Sequence, residues 1–297
     1  MKVSNWLVYT VSTTIMWGIW GAFTGVPSDN GFPDTLTYVV WALTMIVPAL
    51  WALKKAAWNI KRDARSLKLG LAVGLLGAGG QMVLFKAVTM GPTYLIFPII
   101  SLSPAITIFL SFLFLGERTG KLGMAGIALA VLSLPMFDYS PGGGEHHYGA
   151  WFLFSLAIMV AWGLQAYYIK LANATMDAES IFFYMMLTGL MFIPAAFWLT
   201  DFSKPIYLGL GGPWLAAAIQ VLNAIGALLL VYAFRYGKAI VVSPMVNAGA
   251  PLLTSIISLV VAGAAPGPYK IAGIVLALMA ALLLALQPEP DAVPAEA

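Results

Sequence analysis

The sequence predicts an all-α integral membrane protein with ten transmembrane helices, arranged as two inverted five-helix repeats. Of its 297 residues, 61% are hydrophobic and only 9% are charged, whereas a soluble domain usually carries charge on about a quarter of its residues. A soluble chain this apolar would lack the polar surface to cover itself. All twelve acidic residues also fall outside the interiors of the long apolar runs, as expected for segments that lie in lipid.

The apolar runs are separated by breaks that are polar or rich in Gly and Pro, which is typical of turns. A membrane-spanning helix needs about 20 apolar residues. The ten predicted spans are residues 6–26, 33–53, 69–90, 93–115, 122–137, 148–172, 181–199, 213–234, 239–262 and 271–286. The first run is longer than the core of a signal peptide, so it is predicted to be the first span. Residues 288–297 contain Pro, Asp and Glu and are predicted to be a disordered cytoplasmic tail.

The distribution of Lys and Arg predicts the orientation. With the amino terminus inside, the inner side collects 12 of the 15 basic residues and the outer side only Lys204 and Lys270, while Lys86 lies within a span. The positive-inside rule therefore places both termini in the cytoplasm and the protein in the cytoplasmic (inner) membrane. Six of the basic residues fall in the second loop, residues 54–68, where Trp51 and Trp58 favour an amphipathic segment along the headgroups.

The chain matches itself at a shift of about 146 residues. The matched positions include Trp17-Gly18 with Trp162-Gly163, Pro98 and Pro104 with Pro244 and Pro251, and residues 124–127 with 271–274. This predicts two repeats, residues 1–142 and 143–287. Because five spans is an odd number, the second repeat enters the bilayer from the opposite side. Inverted repeats of this kind recur in secondary transporters.

Residues 85–91, the two prolines within 98–104, and residues 112–118 (Phe-Leu-Phe-Leu-Gly-Glu-Arg) resemble the repeat of the EamA group in the drug/metabolite transporter superfamily. Trp162-Gly163 followed by Lys170-Leu171-Ala172 is similar to the opening-helix motif of that family. The resemblance covers nearly the whole chain. It implies ten helices in two inverted repeats around a central cavity, and transport of amino acids, sugars, nucleotide sugars, other metabolites or drugs.

The chain departs from the family pattern at two charged positions. The second repeat has Gly263-Ala264-Ala265 where the first has Gly116-Glu117-Arg118, and the first repeat has Gly25 where the second has Lys170. Any role of these charges is therefore expected on one side of the membrane only.

Polar and aromatic side chains at membrane depth are the candidate substrate-binding residues, because such groups are costly there. They are Trp17, Trp20, Gln81, Lys86, Trp162, Gln165, Tyr168, Asn223 and Asn247. Aromatic walls suit sugar faces or apolar groups, and amides fix orientation by hydrogen bonds. The alternative for the aromatic residues is packing or an interfacial belt. Lys86, near the outer end of its span, either reaches the headgroups or attracts a carboxylate or phosphate.

The prolines of the fourth and ninth spans are predicted to bend those helices and act as hinges. They are Pro98, Pro104, Pro244 and Pro251. Glu117, beside Arg118, is predicted to close the cytoplasmic side through an ion pair in one state, with a capped turn as the alternative. Lys170 is expected to anchor its helix at the inner face. His146 and His147 make a poor metal site on their own, so no metal or other cofactor is predicted.

The sequence thus predicts a secondary transporter that moves a small neutral or anionic polar metabolite, of the amino acid or sugar class, by alternating access. The absence of acidic residues inside the spans argues against proton-coupled export of organic cations. A drug or toxic-metabolite exporter is the leading alternative, followed by a passive channel and, remotely, a membrane-embedded enzyme. The expected partners are a small-molecule substrate and membrane lipids, with no nucleic acid. The coupling ion is open, as is the choice between monomer and homodimer.

Overall fold

The computed structural model of the chain describes residues 4–90, 96, 99–138, 149–262 and 267–286. These residues form helices and connecting turns, with no strand among them. The helices of the first half are α1 (Asn5–Phe23), α2 (Val26–Asp29), α3 (Asp34–Thr44), α4 (Ile46–Lys55), α5 (Ala64–Met90), α6 (Ser103–Phe114) and α7 (Lys121–Asp138). Those of the second half are α8 (Ala150–Ala172), α9 (Ala178–Met191), α10 (Ile193–Leu199), α11 (Leu215–Tyr236), α12 (Ala239–Ala262) and α13 (Pro268–Ala285). Pro98, His146, His147 and the tail 288–297 lie outside the described residues.

Six helical stretches in the described part of the chain are long and apolar enough to cross a membrane. They are Asp34–Lys55, Ala64–Leu84, Ala150–Ala172, Ala178–Leu199, Leu210–Tyr236 and Ala239–Val261. Ser103–Phe114, Lys121–Met136 and Pro268–Leu284 are shorter apolar helices. The chain is therefore a helical multi-pass membrane protein, whereas the count of ten crossings stays a prediction.

The predicted fourth span is not one described helix. Residues 101–102 form a turn, and α6 begins at Ser103 with Pro104 in its first turn. A proline fits there because the first-turn N–H groups of a helix have no partner inside the helix. Pro244 and Pro251, in contrast, lie inside the single helix α12. Pro104 thus lies in the first turn of α6, directly after a break in the helical backbone, and the matched prolines occupy different positions in the two halves.

The two halves contact each other reciprocally. The first long helix of each half, α1 or α8, packs against the third and fourth long helices of the other half, which are α11 and α12 for α1, and α5 and α6 for α8. The last helices, α7 and α13, pack against each other. A two-fold relation between the halves generates contacts of this kind.

Small residues bring these helices close together, as is common where helices pack in a membrane. A Cβ atom on Gly163 would stand 2.7 Å from the carbonyl oxygen of Ser103. The Thr107 hydroxyl donates a hydrogen bond of 3.0 Å to the Gly163 carbonyl oxygen. Where α1 packs against α12, the Thr254 hydroxyl donates to the Gly18 carbonyl oxygen at 2.9 Å. The same contact therefore occurs at both places where the first long helix of one half packs against the other half. These two places, α1 on α11 and α12 and α8 on α5 and α6, are called the crossings below.

Candidate functional site

Two of the predicted aromatic residues lie where the halves cross. Trp17 on α1 donates its indole N–H to the backbone carbonyl oxygen of Asn223 on α11 at 3.3 Å. Trp162 on α8 donates its indole N–H to the Gly77 carbonyl oxygen on α5 at 3.4 Å. Both rings are half-buried. The two tryptophans thus connect the halves, and their role in substrate binding stays a prediction.

Each of these indole rings lies against a glycine of the opposite helix. A Cβ atom on Gly226 would stand 2.6 Å from the Trp17 indole nitrogen, and one on Gly80 would stand 2.4 Å from that of Trp162. Real Cβ atoms do not approach other heavy atoms so closely, so any larger residue would push the ring away. The indole and the glycine therefore fit each other at both crossings.

A chain of polar side chains links α1 to α11. The Trp20 indole N–H donates to Gln220 Oε1 at 3.0 Å, and Gln220 Nε2 donates to the Thr24 hydroxyl at 3.3 Å. Gln220 is buried, with 3% of its surface exposed. It was not among the predicted residues, although it precedes Asn223 by three positions and so shares a face of the helix with it. The argument that selected Asn223 applies equally to Gln220.

The side-chain amides of Asn223 and Gln165 have no hydrogen-bond partner among the described residues. Asn223 has only 9% of its surface exposed, and its side chain makes no hydrogen bond to any described residue. Gln165 is half-buried and lies against Gly77, where a Cβ would stand 2.2 Å from its Nε2 atom; it too makes no hydrogen bond within the described ranges. An amide side chain carries both donors and acceptors that a water or a ligand can use. These two side chains are therefore suited to hold water or a polar ligand.

The other predicted substrate-binding residues are more scattered. Asn247 donates through Nδ2 to the Ser243 carbonyl oxygen of its own helix at 2.9 Å. The Tyr168 ring contacts Tyr167 edge-on, with ring centroids 5.3 Å apart. Gln81 is half-buried on α5, and Lys86 near the end of α5 is exposed. Whether all nine line one site stays a prediction. Trp17, Trp20 and Asn223 gather at one crossing, and Trp162 and Gln165 at the other.

Glu117 joins the two halves at one end of the molecule. It lies just beyond α6 and is buried, and its Oε1 and Oε2 atoms accept hydrogen bonds of 3.0 Å from the backbone N–H groups of Ala239 and Ile240. These groups begin α12, and a carboxylate is favourable at the amino terminus of a helix. Lys170 Nζ lies 3.9 Å from Glu117 Oε1. Glu117, a residue of the first half, thus caps the amino terminus of α12 in the second half.

Lys170 binds the end of a neighbouring helix. Its Nζ atom donates to the carbonyl oxygens of Phe234 at 3.0 Å and Gly237 at 2.6 Å, at the carboxyl terminus of α11. Its side chain is 24% exposed. Lys170 was expected to anchor its helix at the inner face; in the structure its ammonium group binds the end of α11. Together, Glu117 and Lys170 hold the turn between α11 and α12 from both sides, and this arrangement is called the Glu117–Lys170 junction below.

A signal for this junction was present in the sequence. Glu117 and Lys170 are two of the charges that lack counterparts in the other half, where Ala264 and Gly25 stand at the matching positions. In a two-fold arrangement, a second junction would need an acidic residue at position 264 and a basic residue at position 25. Both are missing together, which is expected if the two charges act as a pair.

A cavity of about 260 Å³, open to the surface, lies between α1, α12 and α13. It is lined by Val11, Thr14, Ile15, Met245, Gly249, Leu252, Leu253, Ile256 and Ala281. None of the nine predicted substrate-binding residues lines it, and its walls are almost entirely apolar. In the described part of the chain, no three His, Asp or Glu side chains come together as metal ligands.

Fold and contacts together define a helical membrane protein made of two similar, interlocked halves. The sequence matches the EamA-like transporter family twice, over residues 4–137 and 149–286. The chain belongs to this family, and hence to the drug/metabolite transporter superfamily, and is a multi-pass membrane transporter. A search of curated proteins found no match. One solved structure, titled "Crystal structure of protein", superposes with a TM-score of 0.77 at 18% identity, covering 94% of this chain and 98% of that one. At this identity the similarity shows the fold alone.

Proposed function

We propose that this protein is a secondary transporter that moves a small neutral or anionic polar metabolite, of the amino acid or sugar class, across the cytoplasmic membrane. The observation that carries the proposal is the reciprocal crossing of the halves in a chain of this family. Repeats 1–142 and 143–287, inverted with respect to each other, would rock about these crossings to expose a central site alternately to each side. Both termini are proposed to lie in the cytoplasm.

The substrate site is proposed to lie at the two crossings. The amides of Asn223 and Gln165, which bind no other residue in the described ranges, offer both donors and acceptors, which suit hydroxyl, amino and carboxylate groups. Trp17, Trp20 and Trp162 stand beside them as apolar walls. Because the span interiors contain no acidic residue, the site has no fixed charge to attract a cation. Neutral and anionic solutes therefore fit it better.

The Glu117–Lys170 junction is proposed to close the cytoplasmic end in one state. Lys238, beside it, donates to the Arg118 carbonyl oxygen at 3.0 Å, which adds a second link between the halves at this end. Opening this end would require the carboxylate to leave the amino terminus of α12. Pro104 and the turn at residues 101–102 would let α6 move relative to the preceding chain, with Pro98, Pro244 and Pro251 as further proposed hinge positions.

A drug or toxic-metabolite exporter is the second candidate. The apolar cavity between α1, α12 and α13 favours it, because such walls suit an apolar compound. The polar crossings favour the metabolite. The two candidates differ in the groups that they would use, so variants can separate them.

The test begins with a thermal-shift screen of the purified protein against amino acids, sugars, carboxylates and nucleosides. Hits are then measured by counterflow into proteoliposomes loaded with the same solute, where saturable exchange identifies a carrier. Asn223→Ala and Gln165→Ala should each raise KM by about tenfold, as expected for a lost hydrogen bond in a closed site. Asn247→Ala is the matched control, because its amide already binds its own helix. Lys86→Ala should weaken only anionic substrates.

Unchanged KM in both amide variants would show that the site is elsewhere. Uptake without saturation or counterflow would indicate a channel. Efflux of apolar compounds that depends on a proton gradient and is lost on filling the apolar cavity, for example by Gly249→Leu, would favour the exporter.

A further inference from the structure

The connection between α4 and α5 concentrates positive charge. The segment of residues 54–68, called the basic turn here, contains six Lys and Arg residues and one acidic residue, Asp63. All six basic side chains are exposed. The helices on both sides belong to candidate membrane spans, Asp34–Lys55 and Ala64–Leu84. The basic turn must therefore lie at a membrane surface.

The basic turn is held in one conformation by the rest of the protein. The Lys61 backbone N–H donates to the Ser180 hydroxyl at 3.0 Å, and the Tyr184 hydroxyl donates to the Lys61 carbonyl oxygen at 2.7 Å. Both partners are on α9. The Trp58 backbone N–H donates to the Leu53 carbonyl oxygen at 2.7 Å. Because Lys61 is fixed through its backbone, its ammonium group remains available to a ligand.

Two residues of the basic turn adopt an unfavourable backbone conformation. Ala57 has a φ of 52° and Trp58 a φ of 59°, in the left-handed region that side chains rarely enter and that is an outlier for a bulky residue. Strain of this kind persists only where the surrounding structure imposes it, and it concentrates at functional positions. Its result here is a Trp58 side chain that is 56% exposed beside a cluster of cations.

A second exposed indole extends the same surface. Trp51, at the end of α4, is 58% exposed, and Lys55 Nζ lies 5.6 Å from the centroid of its ring. Indoles are favoured at the depth of lipid headgroups, where one edge is apolar and the other wet. Trp198 elsewhere in the protein is also exposed, at 84%, but the nearest basic residue along the chain, Lys204, is already paired with Asp201 at 3.7 Å. Exposed indoles and exposed basic side chains thus coincide at the basic turn.

We propose that the basic turn, with Trp51 and Trp58, is a binding site for the headgroup of an acidic phospholipid. The phosphate is bound by exposed basic side chains of the turn, including Lys61 and Arg62, while the two indoles enter the interface and fix the depth of the turn. Juxtamembrane basic residues bind anionic lipid additively. The site lies apart from both crossings of the halves, so it does not depend on the proposed substrate.

The full-length protein in a neutral detergent is titrated with dioleoylphosphatidylglycerol or dioleoylphosphatidylcholine. Bound lipid is counted by native mass spectrometry, and the midpoint of thermal unfolding is followed in parallel. Phosphatidylglycerol should be retained and raise the midpoint, and phosphatidylcholine should not. Lys61→Gln and Arg62→Gln should each weaken phosphatidylglycerol binding about fivefold, and Trp58→Ala should weaken it further.

Lys204→Gln and Trp198→Ala are the matched controls and should leave phosphatidylglycerol binding unchanged. Ala57→Gly relieves strain at a left-handed position and should preserve the fold and the binding. Equal retention of the two lipids would overturn the proposal. So would an equal loss of binding in Lys204→Gln and Lys61→Gln. An unfolding midpoint raised as much by inorganic phosphate as by phosphatidylglycerol would show a site for free anions instead.

Discussion

Replacing Glu117 by glutamine tests how far the junction holds one state of the transporter. In the structure both carboxylate oxygens accept a backbone N–H of α12, from Ala239 and Ile240. The glutamine side chain has the same shape but only one acceptor oxygen. Its NH₂ group would therefore face a backbone N–H group, and Lys170 would lose its counter-charge.

The size of the effect follows from these contacts. A hydrogen bond to a charged group contributes about 1.5–3 kcal/mol, and the Glu117 side chain is only 8% exposed, so solvent screens it little. We expect Glu117→Gln to destabilise the closed junction by about 2 kcal/mol. If the junction forms in one state only, this changes the ratio of closed to open molecules about 30-fold, because about 1.4 kcal/mol corresponds to a factor of ten.

The chain contains no cysteine. Labelling of a single introduced cysteine therefore measures how often the Glu117–Lys170 junction opens, without background from other thiols. Ser243 is buried, with 2% of its surface exposed, and lies one turn beyond Ile240 on α12. In a Ser243→Cys background, Glu117→Gln should increase the rate of labelling by a hydrophilic maleimide by up to about 30-fold. Asp201→Asn, which changes an exposed carboxylate paired with Lys204, should not alter the rate. Equal labelling of parent and Glu117→Gln would refute the closing role.

Two further predictions concern stability. Gly163→Ala should destabilise the protein by about 1–3 kcal/mol through overpacking, because its Cβ would stand 2.7 Å from Ser103 O; Gly25→Ala, whose Cβ would meet nothing within 4 Å, should leave the thermal midpoint unchanged, and equal midpoints for both variants would contradict the tight crossing. Asp63 accepts the Ser66 backbone N–H at the start of α5, and hydrogen bonds from Ser66 hold the pKa of its carboxyl below the usual 3.8. Because a depressed pKa favours folding only while the group is charged, Asp63→Ala should lower the midpoint at neutral pH. The difference between parent and variant should disappear as the pH falls below 3.8 through the native pKa; a difference that persists at low pH would exclude this cause.

The repeat could be predicted because helix crossings in a membrane need complementary sizes. A bulky residue beside a glycine is a recognisable sequence pattern. It occurs in both halves, as Trp17-Gly18 and Trp162-Gly163. The structure places these two segments at equivalent crossings. The composition likewise indicated a multi-pass membrane protein. The share of apolar residues depends on whether water or lipid surrounds the chain, and not on which residues contact each other.

Contacts to backbone groups could not be predicted in this way. Glu117 binds the N–H groups of Ala239 and Ile240, and an N–H group at a helix start is available whatever side chain it carries. The sequence at these positions therefore gives no hint of the contact. Pro104 shows a similar limit, because a proline is compatible with the start of a helix as well as with a bend inside one.

The matched indoles and glycines restrict how the two halves can diverge in evolution. Trp17 has room only because residue 226 is glycine, and Trp162 only because residue 80 is glycine. A substitution that enlarges either glycine would be tolerated only where its tryptophan is replaced by a smaller residue, and this tryptophan lies in the other half of the chain. The size of one half at these sites therefore constrains the size of the other half, as at the interface of an obligate heterodimer.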